Sequence, residues 1–331
     1  MAGLRFADAQ SRPTEFLDVT SLTLEELQIL IPPFEVAFQA HMAAWRFDGT
    51  PRTPRRCTVY KHCPLPTPED RLFFLLTSLK TSALQVVHGR LFGMLQGKAK
   101  QWIHVRLPVL LAALRALGNA PARSLTALAQ RLGGRRGHGG HAAGGGASTP
   151  GRGACRRARL PPCAHDGTAR RIVRPQDPPA QTACESGKKR DPTVKTGLLV
   201  NALLLILLLS DTYGGRVHDK RLAAATPYPL PAGRGLLQAL GFLALTLPEV
   251  AILMPTKKPR GQELTGEQQR ANQALHYRRL RIAHVNSSVK RCRSVKDRIR
   301  LWKKGLRDLV MAVCWALHNF RVRLTPWQPM I

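Results

Sequence analysis

The sequence predicts an α/β fold preceded by an all-α segment, and three observations support this. Helix caps and helical hydrophobic spacing recur between residues 21 and 132. From residue 160 onward, short runs with alternating hydrophobicity and β-branched residues follow one another, as expected for strands. A Gly/Arg-rich stretch at residues 133–159 separates the two patterns.

The chain is strongly basic. It has 331 residues, with 51 Lys and Arg against 20 Asp and Glu, and a net charge of +31. Such a charge indicates a polyanionic partner, with nucleic acid as the first candidate, although drift of a GC-rich coding sequence would also enrich arginine. The chain starts without the apolar region of a signal peptide, and the longest apolar run, residues 197–209, is shorter than the ~20 residues that span a bilayer. We therefore expect a cytoplasmic protein without membrane contact.

The N-terminal part reads as a series of helices. Residues 1–20 are expected to be loosely ordered. Thr23 and Glu26 form a capping-box pattern that predicts a helix through about Trp45, and Pro32-Pro33 is expected to divide it into two segments.

A helix-turn-helix pattern follows within the helical segment 21–132. Thr67 and Pro68 predict a helix start, a short helix and a turn at residues 92–94 come next, and a further helix covers residues 96–117. Long polar donors occupy the end of that helix which would enter a DNA major groove: Gln96, Lys98, Lys100 and Gln101. A plain helical bundle with a solvated basic turn is the alternative interpretation.

Residues 133–159 lack acidic residues and hydrophobic periodicity, so a linker is predicted. His138, His141 and Cys155 could be interpreted as metal ligands, but low sequence complexity is the simpler explanation. The composition also resembles GC-rich codons read out of frame, which sequencing of the coding DNA would test.

The α/β segment covers residues 160–331. Strands are predicted at residues 164–175, 193–200, 203–209, 236–238 and 250–254, with a short helix at 220–225. Two closing helices are predicted at residues 276–293 and 296–320. Three adjacent strands, a helix, two further strands and closing helices match an RNase H-like layout.

Two aspartates are candidates for metal-dependent phosphodiester chemistry, which commonly uses carboxylates on neighbouring elements. Asp166 lies inside the first strand, where an acid is costly unless it is paired or binds metal, although an edge position facing solvent would also tolerate it. Asp219 precedes the short helix, where it fits either an N-cap or a metal contact.

Several motifs together resemble bacterial insertion-sequence transposases of the DDE superfamily, in the Harbinger-related group. HDGTARRIVRP resembles the first-aspartate motif, and SGKKRDPTVKTGLLVN and YGGRVHDKR resemble the next two segments. LLQALGF resembles the second-aspartate motif, and residues 276–293 resemble the C-terminal signature of Tyr, Arg, Glu and Lys. The resemblance covers about residues 20–331 apart from the linker, and it implies an RNase H-like DDE endonuclease domain after a helix-turn-helix domain.

The catalytic positions of the family carry over unevenly. Asp166 matches the first catalytic acid, whereas Ala239 and Ala283 stand where the second and third carboxylates are expected. Arg279 and Lys290 match their signature positions. Alanine cannot bind a cation, so the resemblance implies a catalytically impaired copy in which Mg²⁺ or Mn²⁺ binds weakly. Asp166 and Asp219 are the metal-ligand candidates, and Asp219, Arg279 and Lys290 are supporting residues.

Double-stranded DNA, at the element ends and in the target, is the partner that this resemblance implies, with a homo-oligomer on DNA as a further expectation. Beyond the helix-turn-helix residues, the basic residues expected to contact phosphates are Lys188, Lys189, Lys257, Lys258, Arg279, Lys290, Arg291 and Arg293. The predicted function is DNA strand cleavage and transfer at insertion-sequence ends. The alternatives are a non-catalytic DNA-binding protein derived from a transposase, or an RNA-binding protein, for which recognisable motifs are missing.

Overall fold

A computed structural model describes residues 3–46, 50–51, 63–133, 161–243, 245–300 and 305–330. Helices α1 to α12 are, in chain order, Phe6–Gln10, Pro13–Thr20, Leu24–Ala44, Pro68–Thr81, Gln85–Leu91, Gln96–Ala116, Leu125–Gly133, Pro178–Cys184, Asp219–Ala224, Gly266–Val289, Arg293–Lys296 and Leu306–Leu324. Strands β1 to β7 are Cys163–Arg171, Glu185–Ser186, Asp191–Val200, Ile206–Leu209, Tyr213–Gly214, Gly235–Leu237 and Ala251–Leu253. Most of the predicted linker, with His138, His141 and Cys155, lies outside the described residues.

The first twenty residues differ from the expected loose order, because they contain α1 and α2. Phe16 is fully buried, and its ring stacks on that of Phe73 in α4 with centroids 5.6 Å apart. The backbone N–H of Phe6 donates to the Asp70 carboxylate at 2.9 Å. Burial of these aromatic side chains offsets the entropy cost of ordering the segment.

Helix α3 begins at the predicted capping box, where the Thr23 hydroxyl accepts from the Glu26 N–H and the Glu26 carboxylate accepts from the Thr23 N–H. The expected division at Pro32-Pro33 is wrong, since one continuous helix contains both prolines. The helix packs along α6 and buries apolar side chains on both sides of the prolines. This non-local packing compensates for the backbone hydrogen bonds that the prolines remove.

The three predicted helices after Thr67 are present as α4, α5 and α6. Thr67 accepts a hydrogen bond from the Asp70 N–H, and Pro68 occupies the first turn of α4. The turn between α5 and α6 contains Gly93 at φ 68°, a left-handed conformation that glycine adopts without strain.

The sheet is built around β3. One edge of β3 pairs antiparallel with β1, and its other edge pairs antiparallel with β2, β4 and β5. Strand β6 then adds parallel to β1, and β7 adds parallel to β6. Along the chain, three adjacent antiparallel segments come first, helix α9 follows, and two parallel strands come last, which is the predicted order. The strand predicted from residue 203 begins only at Ile206, because Leu204 adopts a left-handed turn conformation at φ 64°.

The closing helices differ from prediction in their bounds. Helix α10 begins ten residues before His276, at Gly266, where Thr265 and Gln268 form a capping box. The final helix was expected to begin at Lys296, but that residue ends the separate short helix α11, and α12 begins at Leu306 after Gly305 at φ 78°.

The N-terminal helices and the α/β segment share one hydrophobic core in the described structure. Helix α12 packs against both α6 and β4, and its Trp315 is 1% exposed. The Asn319 side chain joins the two segments, since its Nδ2 donates to the carbonyls of Asn119 and Ile206 at 2.9 Å each. No helix in the described ranges is long and apolar enough to cross a bilayer.

Candidate functional site

Asp166 is the centre of the candidate site. It lies in the middle of β1, beside Leu198 of β3, and its side chain is half-buried. The Nδ2 atom of Asn286 in α10 donates to Asp166 Oδ2 at 2.7 Å. Burial raises the pKa of the Asp166 carboxyl and the charge of Asp219 adds to the rise, while Gly167 N–H, Arg279 and Asn286 oppose it. Strand β1 lies between β3 and β6 in the sheet, so the alternative of an edge-strand aspartate is wrong.

Asp219 lies close to Asp166 in space. It is the first residue of α9, and a Cβ atom placed on Gly167 or Gly241 would lie 3.3 Å or 3.2 Å from an Asp219 carboxylate oxygen. The Nζ atom of Lys195 is 3.2 Å from Asp219 Oδ1. The N-cap interpretation of Asp219 is wrong, because His218 occupies the N-cap position and the Asp219 side chain is directed to its lysine partner. The two glycines leave room for this carboxylate against the sheet.

Ala239 follows β6, the strand that pairs with β1. Strand β6 pairs with β1 through Ala164 and Leu237 and ends there, so Ala239 lies two residues beyond the last paired position, as Asp166 does in β1. Ala239 begins the 3₁₀ turn Leu240–Phe242. A carboxylate at this position would therefore lie near Asp166.

Helix α10 presents the signature positions along one face. Arg279, Ala283, Asn286 and Lys290 follow one another at spacings of four, three and four residues, so they share one face of the helix. Asn286 contacts Asp166, and the charges of Arg279 and Lys290 act on the same carboxyl. Ala283 is exposed on this face. The helix thus brings its cations to Asp166 with an alanine between them.

The other predicted phosphate-binding residues have different surroundings. Lys189 donates to the carbonyl of Ala169 in β1 at 3.4 Å, which places it beside the site. Burial lowers the pKa of Lys189, and the charges of Lys290 and Arg170 lower it further. The remaining members are exposed: Lys188, Lys257, Lys258, Arg291 and Arg293. Two of these form ion pairs, Lys258 with Glu263 and Arg293 with Asp297.

The predicted helix-turn-helix residues lie at the start of α6, on a different element from Asp166. Gln96, Lys98 and Lys100 are exposed, and Trp102 anchors the opposite face at 3% exposure. Gln96 and Lys100 line a groove of about 500 Å³ together with Arg298 and Arg300, which follow α11. The rest of the groove lining is largely apolar, and Arg298 is paired with Asp191.

The two carboxylates offer limited chemistry towards a metal. Oxygen ligands suit Mg²⁺ or Mn²⁺, but Asp219 is already neutralised by Lys195 and Asp166 accepts from Asn286. The described residues contain no group of three His, Cys, Asp or Glu side chains placed to hold a metal ion. The arrangement therefore fits a tightly bound pair of divalent cations poorly.

Residues 165–319, which contain the whole Asp166 site, match the DDE superfamily endonuclease family. This part of the chain is similar to DDE superfamily endonuclease domains. A probable transposase for insertion sequence element IS702 from Microchaete diplosiphon is 28% identical over 161 residues, which are 48% of this chain and 56% of that protein. The chain thus spans little more than half the length of this curated relative. No solved structure matches the chain.

The resemblance to insertion-sequence transposases of the DDE superfamily is thereby confirmed, and the mixed α/β structure with its curled sheet is consistent with a DDE nuclease domain. Sequence reasoning missed two residues that contact the site carboxylates, Asn286 and Lys195. Asn286 could have been found, because it shares the helical face of Arg279 and Lys290. Lys195 could not, since its contact with Asp219 depends on the placement of α9 against β3.

Proposed function

We propose that the chain is a DNA transposase by descent in which strand cleavage and strand transfer at insertion-sequence ends are impaired. The observation that carries this proposal is the set of positions around Asp166. The register of β6 on β1 and the α10 face that carries Asn286 support a location of positions 239 and 283 near that aspartate, and both are alanine. Acids at both positions would, together with Asp166, form a set of three neighbouring carboxylates.

Weakened metal binding follows from the same positions. When bound, Mg²⁺ or Mn²⁺ would supply charge neutralisation at the phosphate and activation of the attacking group. Asp166 and Asp219 are the side chains that could hold it. Lys195 competes with a cation for Asp219, and the raised pKa of Asp166 opposes the ionised form that a cation requires.

Double-stranded DNA is the proposed substrate, contacted by two surfaces. The helical segment 21–132 would act as a helix-turn-helix DNA-binding domain through the start of α6, and the α/β segment 160–331, RNase H-like in its strand order, would contact phosphates through its basic residues. The residues 133–159 between them are proposed as a linker. A homo-oligomer on DNA and association with the nucleoid belong to the same proposal.

The test uses the purified full chain with end-bearing duplex DNA and Mg²⁺ or Mn²⁺. We expect no nicking by the unmodified protein, and nicking by the double variant Ala239→Asp with Ala283→Glu. The variant Ala283→Glu alone is the matched control, since it adds a carboxylate without completing the set. Robust cleavage by the unmodified protein would overturn the proposed impairment.

The second candidate function is a non-catalytic DNA-binding protein derived from a transposase. The ion pair between Lys195 and Asp219 favours it, because this lysine occupies the carboxylate that a metal would need. Sequence-selective, salt-dependent binding of duplex DNA, with no cleavage even by the double variant, would support this reading over an impaired enzyme.

A further inference from the structure

A pocket of about 450 Å³ lies on the side of α10 that faces away from Asp166. Its α10 residues include positions 281, 284, 288 and 291, whose spacings of three, four and three residues place them on one helix face. At about 100° per residue, this face lies about 150° around the helix from the face of Asn286, which contacts Asp166. The pocket is therefore separate from the candidate site.

The lining of this pocket is positively charged. Arg281, His284 and Arg291 line it, and no carboxylate among the described residues does. Behind the lining, half-buried Arg321 donates from Nη2 to the Ser288 carbonyl at 3.3 Å and to the Ser288 hydroxyl at 3.1 Å. These cations favour an anionic ligand group.

Trp327 gives the pocket an aromatic wall. Its ring packs edge-to-face with that of His318, with centroids 5.4 Å apart and 80° between the planes. Such a contact covers at most one face of the indole, and Trp327 is half-buried. The His318 ring is itself fixed, because its two nitrogens lie 3.0 Å from the Ser288 hydroxyl and 3.0 Å from the Leu204 carbonyl. The indole is thus held where a planar ring can stack on its other face.

The stacking surface and the cations lie next to each other. The Arg281 Nη2 atom donates to Gln328 Oε1 at 2.7 Å, which holds this guanidinium beside the residue that follows Trp327. A nucleoside phosphate presents an aromatic base and a phosphate to such a pair of groups, because bases stack on tryptophan and phosphates pair with arginine. The volume lies within the range of about 300 to 1,000 Å³ that is typical of small-molecule sites.

We propose that this pocket binds a nucleoside phosphate with an unpaired base, the base stacking on Trp327 and the phosphate pairing with Arg281 and Arg291. Two sources supply this chemistry, a free mononucleotide and an unpaired nucleotide of a DNA strand. Only the assignment to a DNA strand rests on the proposed function, since the pocket does not include Asp166.

The first measurement is the affinity of the full chain for deoxyadenosine monophosphate, by titration calorimetry. We expect deoxyadenosine and inorganic phosphate to bind at least tenfold more weakly than the nucleotide, because each uses only one part of the pocket. Trp327→Leu should weaken nucleotide binding about tenfold, whereas Trp327→Phe, which keeps a ring, should retain most of the affinity. Trp45→Leu, which removes an exposed tryptophan outside the pocket, is the matched control and should leave the affinity unchanged.

The charged half of the pocket is tested with Arg291→Gln. Loss of this exposed guanidinium should weaken nucleotide binding about tenfold, and Arg270→Gln, at an exposed arginine near the start of the same helix, should not. If Trp327→Leu does not fold, Arg291→Gln and Trp327→Phe decide. Equal affinities of Arg291→Gln and the unmodified protein would overturn the proposal, as would inorganic phosphate binding as tightly as the nucleotide.

The second measurement identifies the source of the nucleotide, with a single-stranded oligodeoxyadenylate followed by fluorescence anisotropy. Tighter binding of the strand than of the mononucleotide, weakened by Trp327→Leu and Arg291→Gln, would assign the site to DNA, and Arg291→Gln should then reduce the slope of log K against log salt by about 0.7. Equal affinities for the two ligands, both weakened by these variants, would assign it to a free nucleotide. Binding that neither variant weakens would overturn the proposal.

The nicking assay with the double variant Ala239→Asp with Ala283→Glu tests the Asp166 site separately. Nicking by that variant without nucleotide binding at the pocket would overturn this inference and leave the proposed function standing. Nucleotide binding that Trp327→Leu and Arg291→Gln weaken, without nicking by the double variant, would support the pocket and contradict descent to an impaired nuclease.

Discussion

The substitution Asn286→Asp tests the core of the candidate site with the smallest chemical change. The Asn286 amide nitrogen lies 2.7 Å from Asp166 Oδ2, and the substitution replaces that donor with a second carboxylate oxygen. Two charges with centres about 4 Å apart repel by about 4 kcal/mol at an effective dielectric constant of about 20. Relaxation of the exposed side of the pair would reduce this penalty, so we expect a loss of about 2 to 4 kcal/mol at neutral pH.

The penalty should depend on conditions in a way that a simple packing defect would not. A shared proton or a bound divalent cation removes the repulsion between two neighbouring carboxylates. Thermal unfolding of Asn286→Asp should therefore show a midpoint roughly 5 °C below that of the unmodified protein in EDTA at pH 7. The midpoint should recover when Mg²⁺ or Mn²⁺ is added, or when the pH is lowered towards 5.

Asn272→Asp is the matched control on the same helix. Asn272 exchanges hydrogen bonds with Thr256 and has no hydrogen bond to an acid among the described residues, so its substitution should cost less than about 1 kcal/mol without metal dependence. Equal midpoints of Asn286→Asp and the unmodified protein in EDTA, with no response to metal or pH, would refute the proposed contact between Asn286 and Asp166.

Three further measurements test the surrounding structure. Burial holds the pKa of Asp166 above its ordinary value of 3.8, so the folded state binds the Asp166 proton more tightly than the unfolded state does, and the ionised carboxylate destabilises the fold at pH 7. Asp166→Asn should therefore raise the thermal midpoint at pH 7. This gain should vanish below about pH 4, where the carboxyl is protonated in both states. Burial lowers the pKa of His165 to about 3 and of His318 to about 4, so on acidification the unfolded state takes up protons that the folded state excludes. Urea titrations should show the free energy of unfolding falling by up to about 3 kcal/mol for each unit by which the pH is lowered from 6 to 4. A Cβ on Gly197 would lie 2.5 Å from a buried leucine side chain, so Gly197→Ala should destabilise by about 1 to 3 kcal/mol, whereas Gly187→Ala, which meets nothing within 4 Å, should not.

Local signals in the sequence were sufficient for much of the fold. The starts of α3 and α4 were predicted from Thr23 and Thr67, because a capping side chain and the N–H groups it accepts from lie within three residues. The strand order was predicted from alternation and turn residues, which are also local. The register of β1 against β6 could not be read directly, but the motifs around Asp166 and Ala239 implied the same neighbourhood.

Features that depend on distant contacts were not predicted. The continuity of α3 through its prolines depends on packing against α6, and the order of the first twenty residues depends on Phe16 stacking on Phe73. The core shared between α12 and α6 joins residues that are about two hundred positions apart in the chain, such as Asn319 and Asn119. Sequence periodicity predicts that a helix has an apolar face, but it does not identify the surface that covers it.

The electrostatic balance of the site indicates what the proposed loss of two acids would do: it would change the ion preference of the site rather than simply weaken metal binding. Arg170, Arg279 and Lys290 all interact with the Asp166 carboxyl, and the second carboxylate, Asp219, is already paired with a lysine. The excess of positive charge at this site repels a divalent cation, whereas the same excess attracts a phosphate.

DNA affinity of the unmodified protein should therefore be unaffected by EDTA. The double variant that restores both acids should bind DNA more weakly in EDTA and recover in Mg²⁺, because its added carboxylates repel the phosphate until a cation neutralises them. A tenfold loss of DNA affinity by the unmodified protein in EDTA would instead mean that two carboxylates suffice to hold a bridging metal.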